Sequence, residues 1–376
     1  MLKRVLSGLL MFCLLCAPAA AAGEGEEALT SAKAAVVMEM KTGRLLYDQN
    51  GEERLPQAST TKIMTTLLAL EEPDIDTYFT VDSGAVHVEG SSMGLLEGDQ
   101  VSLRALCYGM ILPSGNDAAN VTAVRLAGSI PNFAKLMNER AKQLGLADTA
   151  FVTPSGLDAD GHYTTARDLA ELTRYAMGDE TFREICCQYR AQTKFGNPPF
   201  ERWLKNHNKL LEMYENCIGV KTGFTDNAGR VLVSAAQKDG VELVCVTMDD
   251  PDDWRDHENL YEMCFAELSG RDVSALFPEI EMPVAGGEGL ALAAVVGDTT
   301  LPLRDGEYER LEVKISVPPF EYAPVRAGQQ AGRAELCLGE ETLLSLPLVY
   351  EDEVAALHPY RERRGVIGWF QDLFRK

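Results

Sequence analysis

Ser59-Thr60-Thr61-Lys62 sets a hydroxyl and an amine three residues apart. On a helix that spacing brings both side chains over one face. Residues 56–71 are expected to form such a helix, and Ile63, Met64, Leu67, Leu68 and Leu70 cover most of its circumference, so it should be buried. Pro56 suits a first turn, which places Ser59 near the N-terminus, where the helix dipole favours developing negative charge. An amine in apolar surroundings, or beside another cation, loses proton affinity and can take the proton of a serine nucleophile. Ser-x-x-Lys arises by chance on the order of once per chain of this size, usually as surface decoration. Here the lysine interrupts an apolar helix, where an unpaired charge is costly.

Two further polar groups need elements that aim them at one place. Ser114-Gly115-Asn116 follows Pro113 in a loop between helical runs at 103–112 and 118–126. Such a loop can project two hydrogen-bonding side chains into a cleft, or it can be a plain turn with Asn116 or Asp117 as helix cap. Lys221-Thr222-Gly223 lies in a strand-like run, 218–225, followed by runs at 231–237 and 241–248, an antiparallel sheet in the making. A helical stretch at 252–268 could cover that sheet and opens with Trp254 and Arg255. The earlier Lys41-Thr42-Gly43 sits between strand-like runs 34–40 and 44–47 and reads as a hairpin turn. Gly90-Ser91-Ser92-Met93-Gly94 matches a nucleophile elbow, but no helix follows it, so a structured loop is expected. His162 precedes a capping pair, Thr165 and Asp168, and is expected to be a structural hydrogen-bonding group.

Composition narrows the setting. Lys3 and Arg4, the apolar run 5–15 and small residues 17–22 form a secretory leader (1–22). The net charge of −22 becomes −24 once Lys3 and Arg4 leave, which argues against nucleic acid as a partner. Seven cysteines remain, at 107, 186, 187, 217, 245, 264 and 337, with no metal-ligand spacing; they read as small core residues, and no metal or cofactor is expected. Long helical periodicity stops near residue 276, dividing the chain into a mixed domain (23–275) and an all-β domain (276–355). A tail, 356–376, carries Val366, Ile367, Trp369, Phe370, Leu373 and Phe374 on one helical side. Its last sixteen residues have a charge of +3, opposite in sign to the rest, as suits an in-plane anchor on an anionic membrane surface.

Ser59-Thr60-Thr61-Lys62, Ser114-Gly115-Asn116 and Lys221-Thr222-Gly223, in that order, resemble the motifs of penicillin-recognising serine enzymes. The words around them, Leu112 to Ala119, His162 to Asp168, Asn206-His207-Asn208 and Gly219 to Thr225, are similar to the low-molecular-mass D-alanyl-D-alanine carboxypeptidases. The resemblance implies an α/β fold, with a helical subdomain on an antiparallel sheet flanked by helices, the site between them, and the β-domain as a spacer above the membrane. It implies Ser59 as acylated nucleophile, Lys62 as its base and Ser114 as proton relay. Asn116 would hold the substrate amide, and the N–H groups of Ser59 and Phe224 would form the oxyanion hole beside Gly223. Lys221 and Thr222, with Arg255, would face the terminal carboxylate. The implied partners are peptidoglycan stem peptides ending in D-Ala-D-Ala, β-lactams as covalent inhibitors, and the outer face of the cytoplasmic membrane. Two rivals remain: a secreted β-lactamase, against which no Glu-x-x-Leu-Asn occurs between Asn116 and Lys221, and a non-catalytic envelope-binding protein, which would need a lost motif residue.

Overall fold

The computed structural model describes residues 29–82 and 84–357. The leader and the basic amphipathic segment 361–376 lie outside them. Five antiparallel strands form the central sheet in the order Leu45–Gln49, Ala34–Glu39, Val241–Met248, Gly229–Lys238 and Cys217–Thr225. The three inner strands carry near-continuous apolar runs, such as Val244-Cys245-Val246, because helices cover both faces of the sheet. On one face, Leu260, Tyr261, Cys264 and Phe265 of the helix Asp253–Glu267 pack against Val37, Ala236, Leu243 and Cys245. On the other lie the helices Ala166–Ala176 and Lys62–Leu70. The edge strand Cys217–Thr225 carries Lys221, Thr222 and Gly223, so these residues lie where sheet and helices meet.

The helical part is built from Leu103–Ile111, Asn116–Ala127 and Ile130–Gln143 around the Lys62–Leu70 helix. Ser102, Ser129 and Thr165 each accept a backbone N–H at a helix start, the last from Asp168 as the capping pair implied. The helix expected over 56–71 is shorter. Ala58–Thr61 is a single 3₁₀ turn and the α-helix is Lys62–Leu70. Pro56 precedes both, because Leu55 is held in extended backbone by paired hydrogen bonds with Thr164, 2.8 and 3.0 Å. A hairpin, Arg190–Gly196 with Pro199–Lys205, extends two short strands, Phe79–Thr80 and Gln100–Val101, into a second sheet that the sequence reading did not anticipate.

The Gly90–Gly94 segment is a loop, and its organiser is Asp117. That buried carboxylate accepts the N–H groups of Met93, Gly94 and Leu95 and the hydroxyl of Ser92. Ser92 is therefore engaged structurally. Five of the seven cysteines, 107, 186, 245, 264 and 337, are buried, and all seven are free.

Beyond the first domain, six strands form a sheet in the order Leu311–Ser316, Gln330–Leu338, Glu341–Tyr350, Leu290–Val295, Ile280–Ala285, Glu321–Tyr322. The strand Ser269–Asp272 already pairs with Thr300–Leu303, so β pairing begins before residue 276. The Lys41-Thr42-Gly43 turn does more than close a hairpin. Lys41 donates to the Asp298 carboxylate and to the Thr300 carbonyl, and Arg44 makes two hydrogen bonds, 3.0 and 2.7 Å, to Glu307. The Arg44–Glu307 pair is nearly buried, at 10% and 8% side-chain exposure, so it joins the two regions with little solvent screening.

Candidate active site

Ser59 sits in the 3₁₀ turn at the mouth of the Lys62–Leu70 helix, and three neighbours hold that turn in place. Gly156, at φ +87°, passes so close that a Cβ there would lie 1.8 Å from the Ala58 carbonyl oxygen. A Cβ on Gly223 would fall 3.1 Å from the Ser59 nitrogen, which puts the edge strand in contact with the serine turn. His162 accepts the Val152 N–H on Nδ1 at 2.9 Å and lies 2.8 Å from Thr61 Oγ1 through Nε2. Its Nε2 therefore carries the proton, and burial pushes its pKa down to about 4, keeping it neutral. The histidine is a structural hydrogen-bonding group, as expected; it ties residues 152–162 to the serine turn.

Lys62 is fully buried, with Nζ 2.8 Å from Ser59 Oγ, 2.7 Å from Asn116 Oδ1 and 2.6 Å from the Ser155 carbonyl oxygen. Asn116 is oriented by its own amide, which donates to the Glu89 carbonyl at 2.8 Å and leaves Oδ1 aimed at the lysine. Asn116 is thus the first residue of a helix whose side chain serves the site, while Gly115 takes the cap position. Desolvation, and then the charge of Lys221, hold the Lys62 pKa well below the usual lysine range; the Asp117 carboxylate opposes this weakly.

Lys221 is the second fully buried lysine, and it donates to Ser114 Oγ at 2.9 Å and to the Thr222 carbonyl at 2.7 Å. Burial brings its pKa down to about 7. Ser114 holds a left-handed backbone, φ 62°, uncommon for a residue with a side chain and frequent at sites that need one exact hydroxyl position. Two hydroxyls and two amines therefore form two linked pairs: Ser59 with Lys62, and Ser114 with Lys221.

A cleft of about 660 Å³ opens over these groups, lined by Ser59, Ser114, Asn116, Thr222, Gly223 and Phe224. Eight of the nine residues singled out from the sequence are at the cleft or buried directly behind it. Arg255 is not. Its guanidinium is 69% exposed and pairs with Asp252 on the outer side of the helix start. The guanidinium in the cleft belongs to Arg230, paired with Asp253 and lying over the Trp254 ring. Arg230 was recoverable from sequence: a short turn after residue 225 folds the next strand back, and Arg230 pairs directly with Phe224. Tyr189, Lys205, His207 and Lys209 also line the cleft, brought there by the unanticipated hairpin and the turn after it.

Comparison with known proteins follows the same lines. The model of the peptidase S11 family, D-alanyl-D-alanine carboxypeptidase, matches residues 21–252, and that of the penicillin-binding protein 5 C-terminal domain matches 281–356. The D-alanyl-D-alanine carboxypeptidase DacF of Bacillus subtilis is 29% identical over 370 residues, spanning 94% of this chain and 95% of its own. DacC of Escherichia coli is 31% identical, spanning 91% of this chain and 90% of its own. The crystal structure of penicillin-binding protein 5 from Haemophilus influenzae superposes with a TM-score of 0.67 at 28% identity, covering 87% of this chain and 98% of that one. The chain belongs to the D-alanyl-D-alanine carboxypeptidase family of serine peptidases.

Proposed function

We propose that this hydrolase removes the terminal D-alanine from peptidoglycan stem peptides ending in D-Ala-D-Ala, through an ester formed on Ser59. The arrangement around Lys62 carries the reading. Asn116 Oδ1 and the Ser155 carbonyl can only accept, so they take two N–H bonds of the amine. In the neutral amine the remaining direction is a lone pair, and the hydroxyl it meets is that of Ser59. Ser59 therefore attacks the penultimate carbonyl as Lys62 takes its proton, and the backbone N–H groups of Ser59 and Phe224 receive the oxyanion. Ser114, held by the Lys221 ammonium, gives its proton to the departing amine and regains one from the Lys62 ammonium, so the proton taken from Ser59 ends on the leaving group. Thr222 faces the terminal carboxylate from the cleft wall, with the charge of Lys221 behind it and Arg230 nearby. Water then cleaves the ester. A β-lactam offers the same amide and carboxylate, but its opened ring stays attached and obstructs the water, so it acts as a covalent inhibitor.

The tail 361–376, outside the described residues, supports placement on the outer face of the cytoplasmic membrane through its apolar side and basic flank. Among the described residues no helix is long and apolar enough to cross a membrane.

Release of D-alanine from a peptide ending in D-Ala-D-Ala tests the activity. Ser59→Ala should lower kcat by at least roughly 10³-fold while peptide still binds; near-normal turnover would refute the assignment. The two lysines set the pH profile. Lys62 must be neutral, so kcat/KM rises with pH through its depressed pKa; Lys221 must be charged, so kcat/KM falls as pH passes about 7. A bound carboxylate favours the Lys221 ammonium, so the falling limb of kcat should lie at higher pH than that of kcat/KM. Coincident limbs would remove Lys221 from carboxylate recognition. Removing residues 361–376 should abolish co-sedimentation with anionic vesicles and leave hydrolysis of a soluble peptide intact; unchanged sedimentation would exclude the tail as the anchor.

A further inference from the structure

We propose that the outer face of the hairpin Arg190–Gly196/Pro199–Lys205 is a binding site for a pyranose of an amino-sugar glycan, the strand from which a stem peptide hangs. The inference rests on the stem-peptide reading above, and it adds a second contact to the same substrate. Trp203 is 68% exposed, the most exposed tryptophan among the described residues. Side chains alternate along a strand, so Trp203 and Lys205 share a face, and pairing puts Gln192 and Arg190 opposite them on that same face. One flat aromatic ring thus stands among an amide and two cations. Together with Leu204, the residues Arg190, Trp203 and Lys205 border a hollow of about 300 Å³.

Three observations select a sugar as the occupant. The apolar lining of the hollow is confined to Trp203 and Leu204 and is not a broad patch, which suits the axial C–H face of a pyranose better than an apolar protein surface. On that face Arg190, Gln192 and Lys205 offer donors to hydroxyl and acetamido oxygens, and Glu201, paired with Lys194, offers an acceptor to hydroxyl groups. The hollow adjoins the catalytic cleft: Lys205 lines both, and its ammonium lies 4.9 Å from the ring centre of Tyr189, a residue of the cleft wall. A ligand whose peptide end occupies the cleft can therefore lay its carbohydrate end on Trp203. The platform is also rigid. On the opposite face Ala191, Phe195 and Leu204 are buried, and Arg202 is stacked between Phe195 and Phe200 at 4.2 and 4.3 Å while it donates to the Gly94 carbonyl.

The test compares two substrates and one ligand on the full chain. The substrates are a free pentapeptide ending in D-Ala-D-Ala and the same pentapeptide attached to an N-acetylglucosamine–N-acetylmuramic acid tetrasaccharide; the ligand is the tetrasaccharide without peptide. Trp203→Ala should lower kcat/KM for the glycan-linked substrate by roughly fivefold and leave the free peptide unchanged, with Trp203→Phe retaining most of the wild-type value. The peptide-free tetrasaccharide should perturb the indole resonance of Trp203 in the wild type, and its affinity should fall by a similar factor in Trp203→Ala. Equal losses on both substrates, or no loss on either, would overturn the site. Absence of tetrasaccharide binding would overturn it even if neither peptide were hydrolysed, so its failure is distinguishable from failure of the proposed activity.

Discussion

Two lysine amines are buried completely in one small volume, and the rest of the domain is arranged around keeping them there. Burying an ammonium costs several kcal/mol unless it is neutralised or hydrogen-bonded. For Lys62 the solution is a cage of oxygen atoms from three separate elements: the serine turn, the first residue of the Asn116–Ala127 helix and the Ser155 carbonyl. For Lys221 it is Ser114 and its own strand. Burial lowers the proton affinity of both amines, and the charge of Lys221 lowers that of Lys62 further, so Lys62 is the one that suits a neutral base. Separation of two like groups into a neutral and a charged one follows from their environments alone.

The surrounding devices serve that cage. Gly156 allows the Ser155 carbonyl to approach the serine turn, and His162 clamps the same segment from the other side. Asp117 gathers the N–H groups of the 93–95 loop, which in turn holds the wall beside Asn116. These residues touch no reacting atom in the proposed chemistry. Their effect is to fix the cage atoms so that the base and nucleophile need no rearrangement when substrate arrives.

Much of this was legible in the sequence because the motif residues sit on elements with strong local signals. The apolar helix around Lys62, the capped helices and the three β runs at 218–248 all announce themselves by periodicity. The helix at Lys62 starts later than its periodicity implies because a long-range pairing, Leu55 with Thr164, fixes the backbone there, and no local pattern reports such a contact. The hairpin at 190–205 carries little local signal because its Gly196-Asn197-Pro198 tip and five charged residues resemble a polar connection. Arg255 was placed by resemblance alone, and its exposed pairing with Asp252 leaves the cleft to Arg230, which strand pairing with Phe224 identifies. The role of Lys41 and Arg44 in joining the β-domain depends on Asp298 and Glu307, more than 250 residues away, and had no sequence signal.

The central claim is that Ser59 becomes acylated with Lys62 as its base. Intact-mass measurement after exposure to benzylpenicillin, followed by proteolysis, tests it most directly. One persistent adduct should form, it should map to the peptide containing Ser59, and Lys62→Ala should slow its formation by about 10²-fold or more. An adduct on another residue, or formation at an undiminished rate in Lys62→Ala, would contradict the account.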